Sequence, residues 1–341
     1  MAKESPQDST HSEGSRAKTS EEAVREMCQL LNGFPSPVRV VNDAIFKHLL
    51  GEPGKSEKRL VRFINAVLKQ TEQPLITDVT IEHSENFPDA FDGKIAYLDL
   101  LAKDEHGTAY HVEVQIVPHD HFISRMVYYL AHGSQLSKGS VYSKIRPTIS
   151  IVLTEFDLFP GRNTLFDSFL FRSTRDPDFV LTHDLQLHFI QLKNILSTDS
   201  MDGIVKELSD WMLFLNCPFT KESDMINVSN SDPTFYDAVQ DINTFVSDPA
   251  HRRVIEAIER DRRDRVDIRE SGLREGYNEG FAKGEASGEA RGRTAGLAEG
   301  EARGRAAGLA EGRMAVASKM KRLGLDVSSI SQATGLSAEE Y

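Results

Sequence analysis

Two hydrophobic rhythms alternate along the chain. Asn42 offers a side-chain cap to a helix that starts VNDAIFKHLLG and ends at Gly51. Residues 57–68 (EKRLVRFINAVL) put Leu60, Phe63, Ile64 and Val67 on one stripe, which predicts a second helix. The period then changes to strand over residues 75–83, 95–103 and 109–117. Helical spacing returns over 122–136, and TISIVL (148–153) reads as a short buried strand. Residues 167–173 and 185–192 are strand-like, and 203–215 look like a closing helix. Residues 217–250 are turn-rich, then helical; 251–341 are charged, glycine-punctuated and mostly helical in pattern. Strands interleaved with helices predict a mixed α/β layer structure.

Composition narrows this picture. The chain has 341 residues, 39% of them apolar, enough for one large domain with appendages. The opening stretch MAKESPQDSTHSEGSRAKTSEE is Ser-rich and mixed in charge, so a mobile leader is expected to about residue 36, helical near 21–31. It lacks the apolar run of a secretion signal, and no segment approaches a membrane span, so a cytoplasmic protein with no membrane partner is expected. Cys28 and Cys217, far apart in sequence, make neither a disulfide framework nor a zinc cluster. A net charge of −12 argues against nucleic-acid binding by broad electrostatics, but it leaves room for a cation held by clustered carboxylates.

Such a cluster is encoded in IAYLDLLAKDEHGTAYHVEVQI (95–116). Asp-Glu-His-Gly is a turn signal, with Gly107 free to take positive φ. A three-residue loop over 105–107 sets Asp104 opposite Thr108, Asp99 opposite Glu113 and Tyr97 opposite Gln115. Side chains alternate along a strand, so Leu98, Leu100, Val112, Val114 and Ile116 share an apolar face. That register buries every aliphatic and gathers Asp99, Glu113 and Gln115 on the other side. Two acids on neighbouring strands, with the Val114 carbonyl between Glu113 and Gln115, suit a magnesium ion that activates water and neutralises a phosphate. The same pattern also fits an amphipathic surface hairpin whose solvent face carries acids. His111, His119 and His121 are further titratable groups, better suited to structural or loop roles.

The ordered set NDAIFKHLLG, YLDLLAKDEHGTAYHVEVQ, FISRMVYYLAHGSQLSKGSVY, TISIVLTEFDLF and HFIQLKNI resembles the Rpn group of recombination-promoting nucleases, also labelled transposases, within the PD-(D/E)xK superfamily. The resemblance covers roughly residues 38–216, and the glycine-rich tail looks like tails of that group. It implies an α/β, restriction-endonuclease-like mixed sheet flanked by helices, followed by a long Gly-punctuated helical tail. It also implies DNA cleavage with Mg2+, or Mn2+, as cofactor. Asp99 matches the family's first strand acid and Glu113 the second; both would hold metal. Gln115 stands where the wider superfamily has lysine, and Leu98 where its name has proline. Glutamine carries no positive charge and takes no proton, so it orients water or phosphate by hydrogen bonds. Asp43 matches the family's helix acid, and it equally suits plain charge stabilisation of a helix N-terminus. Lys47, one turn on, pairs with Asp43 or meets a phosphate. Arg125, beside Tyr128 and Tyr129, is a candidate DNA contact, or part of a helix packed on the sheet.

With the resemblance in hand, the expected parts are a leader (1–36), a nuclease-like domain (37–216), a helical extension (217–270), a repeat stalk or tether (271–314) and a small helical C-terminal element (315–341). Glycine recurs every fourth residue from Gly272 to Gly312, and GEARGRTAGLAE (288–299) returns as GEARGRAAGLAE (300–311). Eleven helical glycines, each costing about 1 kcal/mol against alanine, make an isolated helix marginal. Close approach of a second copy would offset that, suggesting a homo-oligomer through the tail; a flexible tether fits as well. Near the end, 328–333 and 337 onward resemble two short helices broken by Gly335. Two functions follow: a magnesium-dependent DNA endonuclease, or a non-catalytic module of the same fold used in DNA binding or assembly.

Overall fold

The computed structural model describes residues 18–82, 100–133, 141, 145–162, 164–196 and 201–341. The chain divides into two compact units, residues 1–266 and 267–341. The first contains α1 (Ser20–Asn32), α2 (Asp43–Leu50), α3 (Glu57–Gln70), β1 (Val79–Glu82), β2 (Leu100–Asp104), β3 (Ala109–Gln115), α4 (Phe122–Gly133), β4 (Thr148–Thr154), β5 (Phe166–Arg172) and β6 (Val180–Gln191). After a 3-10 turn (Leu192–Leu196) come α5 (Lys206–Leu215), α6 (Glu222–Ser231), α7 (Pro233–Ser247) and the start of α8 (Pro249–Arg322).

The local signals act as the sequence predicts. Asn42 accepts the Ala44 amide at 3.1 Å, and Gly51 closes α2. Leu60, Phe63, Ile64 and Val67 of α3 are all buried. Each such side chain contributes about 1.5–3 kcal/mol by leaving water. The helix expected near residues 21–31 forms as α1, capped by Thr19 and Glu22, but it is no loose leader. Ala23, Val24, Met27 and Leu31 are fully buried, and α1 packs on α6 and α7.

Six strands form one sheet in the order β1-β2-β3-β4-β6-β5. β3, β4 and β6 run parallel, with antiparallel pairs towards both edges. All seven residues of β4 are buried, as a parallel strand covered on both faces requires. Helices thus flank a mixed sheet, as expected. β6 starts at Val180, earlier than the apolar run at 185 suggests, because its polar first half pairs with β5 beyond the core. The strand expected over 95–103 is seen from Leu100 onward; positions 95–99 lie outside the described residues. Residues 217–250 are more helical than their turn-rich composition suggests, because α6 and α7 pack against each other and α1.

The two sheet faces differ. Leu100, Ala102, Tyr110, Val112, Ile151 and Ile190 join the main core, shared with α1–α3 and α5–α7. On the reverse face α4 sets Phe122, Met126 and Leu130 on Val152, Leu187 and Phe189.

In the second unit the glycine-punctuated segment is continuous helix. Exposed pairs one turn apart, Glu279 with Lys283 and Glu301 with Arg305, support it by a few tenths of a kcal/mol each. α9 (Val327–Thr334) is capped by Asp326 and ended by Gly335 at φ 72°. The second short helix expected from residue 337 does not form: the segment turns instead, with Glu340 accepting the Ser337 amide at 2.7 Å. Among the described residues, no helix is long and apolar enough to cross a membrane.

Two buried histidines make the fold sensitive to acid. His188 is fully buried and stacks on Phe166, with 5.8 Å between ring centroids; His111 is 2% exposed. Burial pushes both imidazoles down to about 4. A free histidine titrates near about 6.5. The unfolded chain therefore binds protons first, so stability is complete above about 6.5 and is lost as pH falls from there towards 4. Urea midpoints are expected to drop across that window. His188→Leu should flatten the slope by up to about 1.4 kcal/mol per pH unit. An unchanged slope would remove His188 from the account.

Candidate functional site

Over its described residues the hairpin has the expected register. Leu100 pairs with Val112, Leu101 with His111, Ala102 with Tyr110 and Lys103 with Ala109. The Asp104 amide donates to the Thr108 carbonyl at 3.1 Å, and Gly107 takes φ 84°. The Asp104 carboxylate holds this turn by accepting the His106 and Thr108 amides at 2.9 and 2.8 Å. Asp99 itself lies outside the described residues.

The Glu113 face does not fit the surface-hairpin alternative. It is not a solvent face, because β3 is interior to the sheet and α4 covers that side. Glu113 is 7% exposed and His111 2%. Leu101, paired with His111, shares this face, so the register does not send every aliphatic to the reverse side. Leu101 is nevertheless fully buried, since both faces are covered.

At the C-terminal end of β3, Arg125 reaches down from α4. Its Nη2 donates to Glu113 Oε1 at 3.2 Å and also to Gln115 Oε1. The Gln115 amide nitrogen donates to the Val117 carbonyl at 2.8 Å, which points its oxygen at the guanidinium. Two oxygens from alternate β3 residues thus converge on one cationic nitrogen. Such an oxygen-only donor pair suits a hard divalent cation, and the guanidinium marks the position of positive charge. Among the described residues no three His, Cys, Asp or Glu side chains group as metal ligands. Arg125, expected as a DNA contact, is engaged with Glu113 and Gln115 and lies over the Phe122 ring, 5.2 Å from its centroid. Tyr129 packs on the α4 cluster, whereas Tyr128 is exposed. His119 and His121 are exposed in the turn before α4.

Asp43 and Lys47 stand one turn apart on α2 and pair at 2.9 Å. That is the helix-surface pairing the sequence allowed. The residue before α2 is tied to the end of the sheet. The neighbour of Asp43, Asn42, donates to Glu259 Oε1 at 2.9 Å, and Glu259 holds Arg262 at 2.9 Å. Arg262 faces Glu155 at 3.6 Å, and Arg39 pairs with the same carboxylate at 2.8 Å. The Glu155 amide closes the chain by donating to the Gln115 carbonyl at 3.2 Å. Burial pushes the Glu155 carboxyl up, and the Arg39 and Arg262 guanidinium groups pull it back. Sequence reading missed this network. One signal was available: Glu155 directly follows a buried parallel strand, and sites in α/β sheets gather at the carboxyl ends of such strands.

A model of the family described as PD-(D/E)XK nuclease family transposase matches residues 40–272. No curated protein and no solved structure matches the chain.

Proposed function

Because the chain belongs to the PD-(D/E)XK nuclease family transposase family, we propose that it is a divalent-metal-dependent DNA endonuclease whose breaks promote recombination or transposition-like events. The observation that supports this reading most is the convergence of the Glu113 and Gln115 oxygens on one cationic nitrogen at the end of β3. In this reading Glu113 and Asp99 hold Mg2+ or Mn2+, Gln115 orients water, and Asp43 assists from α2, with residues 37–216 as the nuclease-like part. A bound cation supplies activated water and charge neutralisation at the phosphate. Arg125 keeps the buried Glu113 charge compensated, and it can turn towards a phosphate when a metal takes over that task. Lys47, exposed on α2, is a further DNA contact in the same reading.

The test is nicking of supercoiled plasmid by the pure full-length chain, with Mg2+ or Mn2+ against EDTA, and wild type against Asp99→Ala. Metal-dependent nicking lost in the variant is the expected result. Wild type inert on all DNA forms would leave the second reading, a non-catalytic binding or assembly module. Gln115 in place of lysine favours that alternative.

The tail is read as the means of self-association. At all eleven glycines from Gly272 to Gly312 a Cβ would meet nothing within 4 Å, so a second copy's helix has backbone to approach. Sedimentation of the full chain should give a species larger than a monomer, reduced by alanine at Gly292, Gly296 and Gly300. A monomer at every concentration would end this part of the proposal.

A further inference from the structure

The two cysteines, 189 positions apart in sequence, meet in the fold. Cys28 on α1 and Cys217 just after α5 stand with their sulfurs 3.5 Å apart, as free thiols in hydrogen-bond contact. Their settings are unequal. Cys28 is half-buried, with the shared hydrogen bond holding its thiol down against burial and the Glu222 carboxylate, which push it up, whereas Cys217 is completely buried. The shared hydrogen bond lowers the Cys28 thiol, while the same bond and burial raise Cys217 well above its ordinary value. One sulfur thus belongs to a half-buried residue on α1, and the other is sheltered and within reach of the first.

We propose that Cys28 and Cys217 are a modification site: a dithiol that a peroxide converts to a reversible intramolecular disulfide, tying α1 to the end of α5. The Cys28 thiolate attacks one peroxide oxygen, the O–O bond breaks, and Cys28 becomes a sulfenic acid as the other oxygen leaves as hydroxide, which takes up the proton the thiol released and becomes water. The Cys217 sulfur then attacks the Cys28 sulfur. The S–S bond forms, the S–O bond breaks, and the hydroxyl leaves with the Cys217 proton as a second water. Two electrons pass from the two sulfurs to one peroxide, and a dithiol reductant reverses the change by exchange.

The placement gives the crosslink a consequence. The Cys217 carbonyl accepts the Val40 amide at 3.1 Å, and Val40 lies between Arg39, which holds Glu155, and the cap of α2. A crosslink across so long a loop restricts the unfolded chain strongly. It therefore clamps α1 to the segment that leads into the site without adding a new contact at Glu113. The proposal does not depend on the nuclease reading.

The experiment treats the folded full-length chain with hydrogen peroxide, alkylates it under denaturing conditions, and weighs it. The expected product has lost two hydrogens, takes up no alkylating agent, runs faster on a non-reducing gel, and regains both thiols with dithiothreitol. Its urea midpoint should lie above that of the reduced chain. Cys217→Ser should stop at a Cys28 sulfenic acid that dimedone traps, and Cys28→Ser should leave Cys217 unoxidised. Two alkylatable thiols surviving in wild type would overturn the proposal. So would over-oxidation of Cys28 without a crosslink, or a disulfide between two chains.

Discussion

Glu113→Ala should lower metal-dependent nicking about a thousandfold, equivalent to about 4 kcal/mol of transition-state stabilisation. The expectation follows from where the side chain is held. Glu113 stands near the end of an interior strand, 7% exposed, with its carboxylate against Arg125. Strand backbone fixes it more firmly than a loop would. Gln115→Ala should cost far less, about tenfold, because a glutamine contributes only hydrogen bonds to water or phosphate. The measurement is the initial nicking rate at saturating Mg2+, with urea midpoints recorded beside it. Equal rates for Glu113→Ala and wild type, both folded, would take Glu113 out of the chemistry. A folded Glu113→Ala that binds DNA as wild type does but no longer cuts would separate catalysis from recognition.

The second large effect concerns stability. Arg39→Ala should cost about 3–5 kcal/mol at neutral pH, the usual result of removing one partner from a buried ion pair. It leaves the nearly buried Glu155 carboxylate facing only Arg262, at 3.6 Å. It also removes the guanidinium stacked 4.3 Å over the Phe219 ring. The pH dependence has a definite sign. Burial raises the Glu155 carboxyl in the folded state above its ordinary value. Its contribution is therefore fully present at low pH and is lost as pH rises through the raised value; losing Arg39 raises that value further. The deficit of Arg39→Ala should shrink on going from pH 7 to pH 5, and Glu155→Gln should restore part of it at pH 7. A double-mutant cycle by urea denaturation reads the coupling directly. A deficit independent of both pH and residue 155 would assign the cost to the lost stacking on Phe219 instead.

These two sites differ in how readily the sequence discloses them. The register that aligns β2 with β3 is a local matter. One glycine with φ 84° and one aspartate that holds the turn determine it, and both lie within the hairpin. The Asn42 cap and the α3 stripe are legible for the same reason. What covers the Glu113 face is not local. The covering helix α4 acquires its place from Val152, Leu187 and Phe189, on strands that join through crossovers. The hairpin alone therefore does not disclose what covers that face. The Glu155 network is less legible still, since Arg39, Asn42, Glu259 and Arg262 are each ordinary charged or polar helix-flanking residues until the fold assembles them. Cys28 and Cys217 follow the same rule, as does α1, whose buried stripe follows directly on a polar, Ser-rich opening.

The duplicated segment of α8 carries a further implication. Its two copies, residues 288–299 and 300–311, are each twelve residues long and differ only at Thr294 and Ala306. Twelve helical residues advance about 18 Å and end about a third of a turn out of phase. A variant that gained or lost one copy would keep its glycine spacing and its helix. It would, however, shift α9 along the axis and swing it to a different azimuth. Only a change of three copies, about ten whole turns, restores the original bearing. Length in this tail is therefore quantised by the angle it leaves behind, and variants with different copy numbers should differ in the direction α9 faces more than in how well the helix forms.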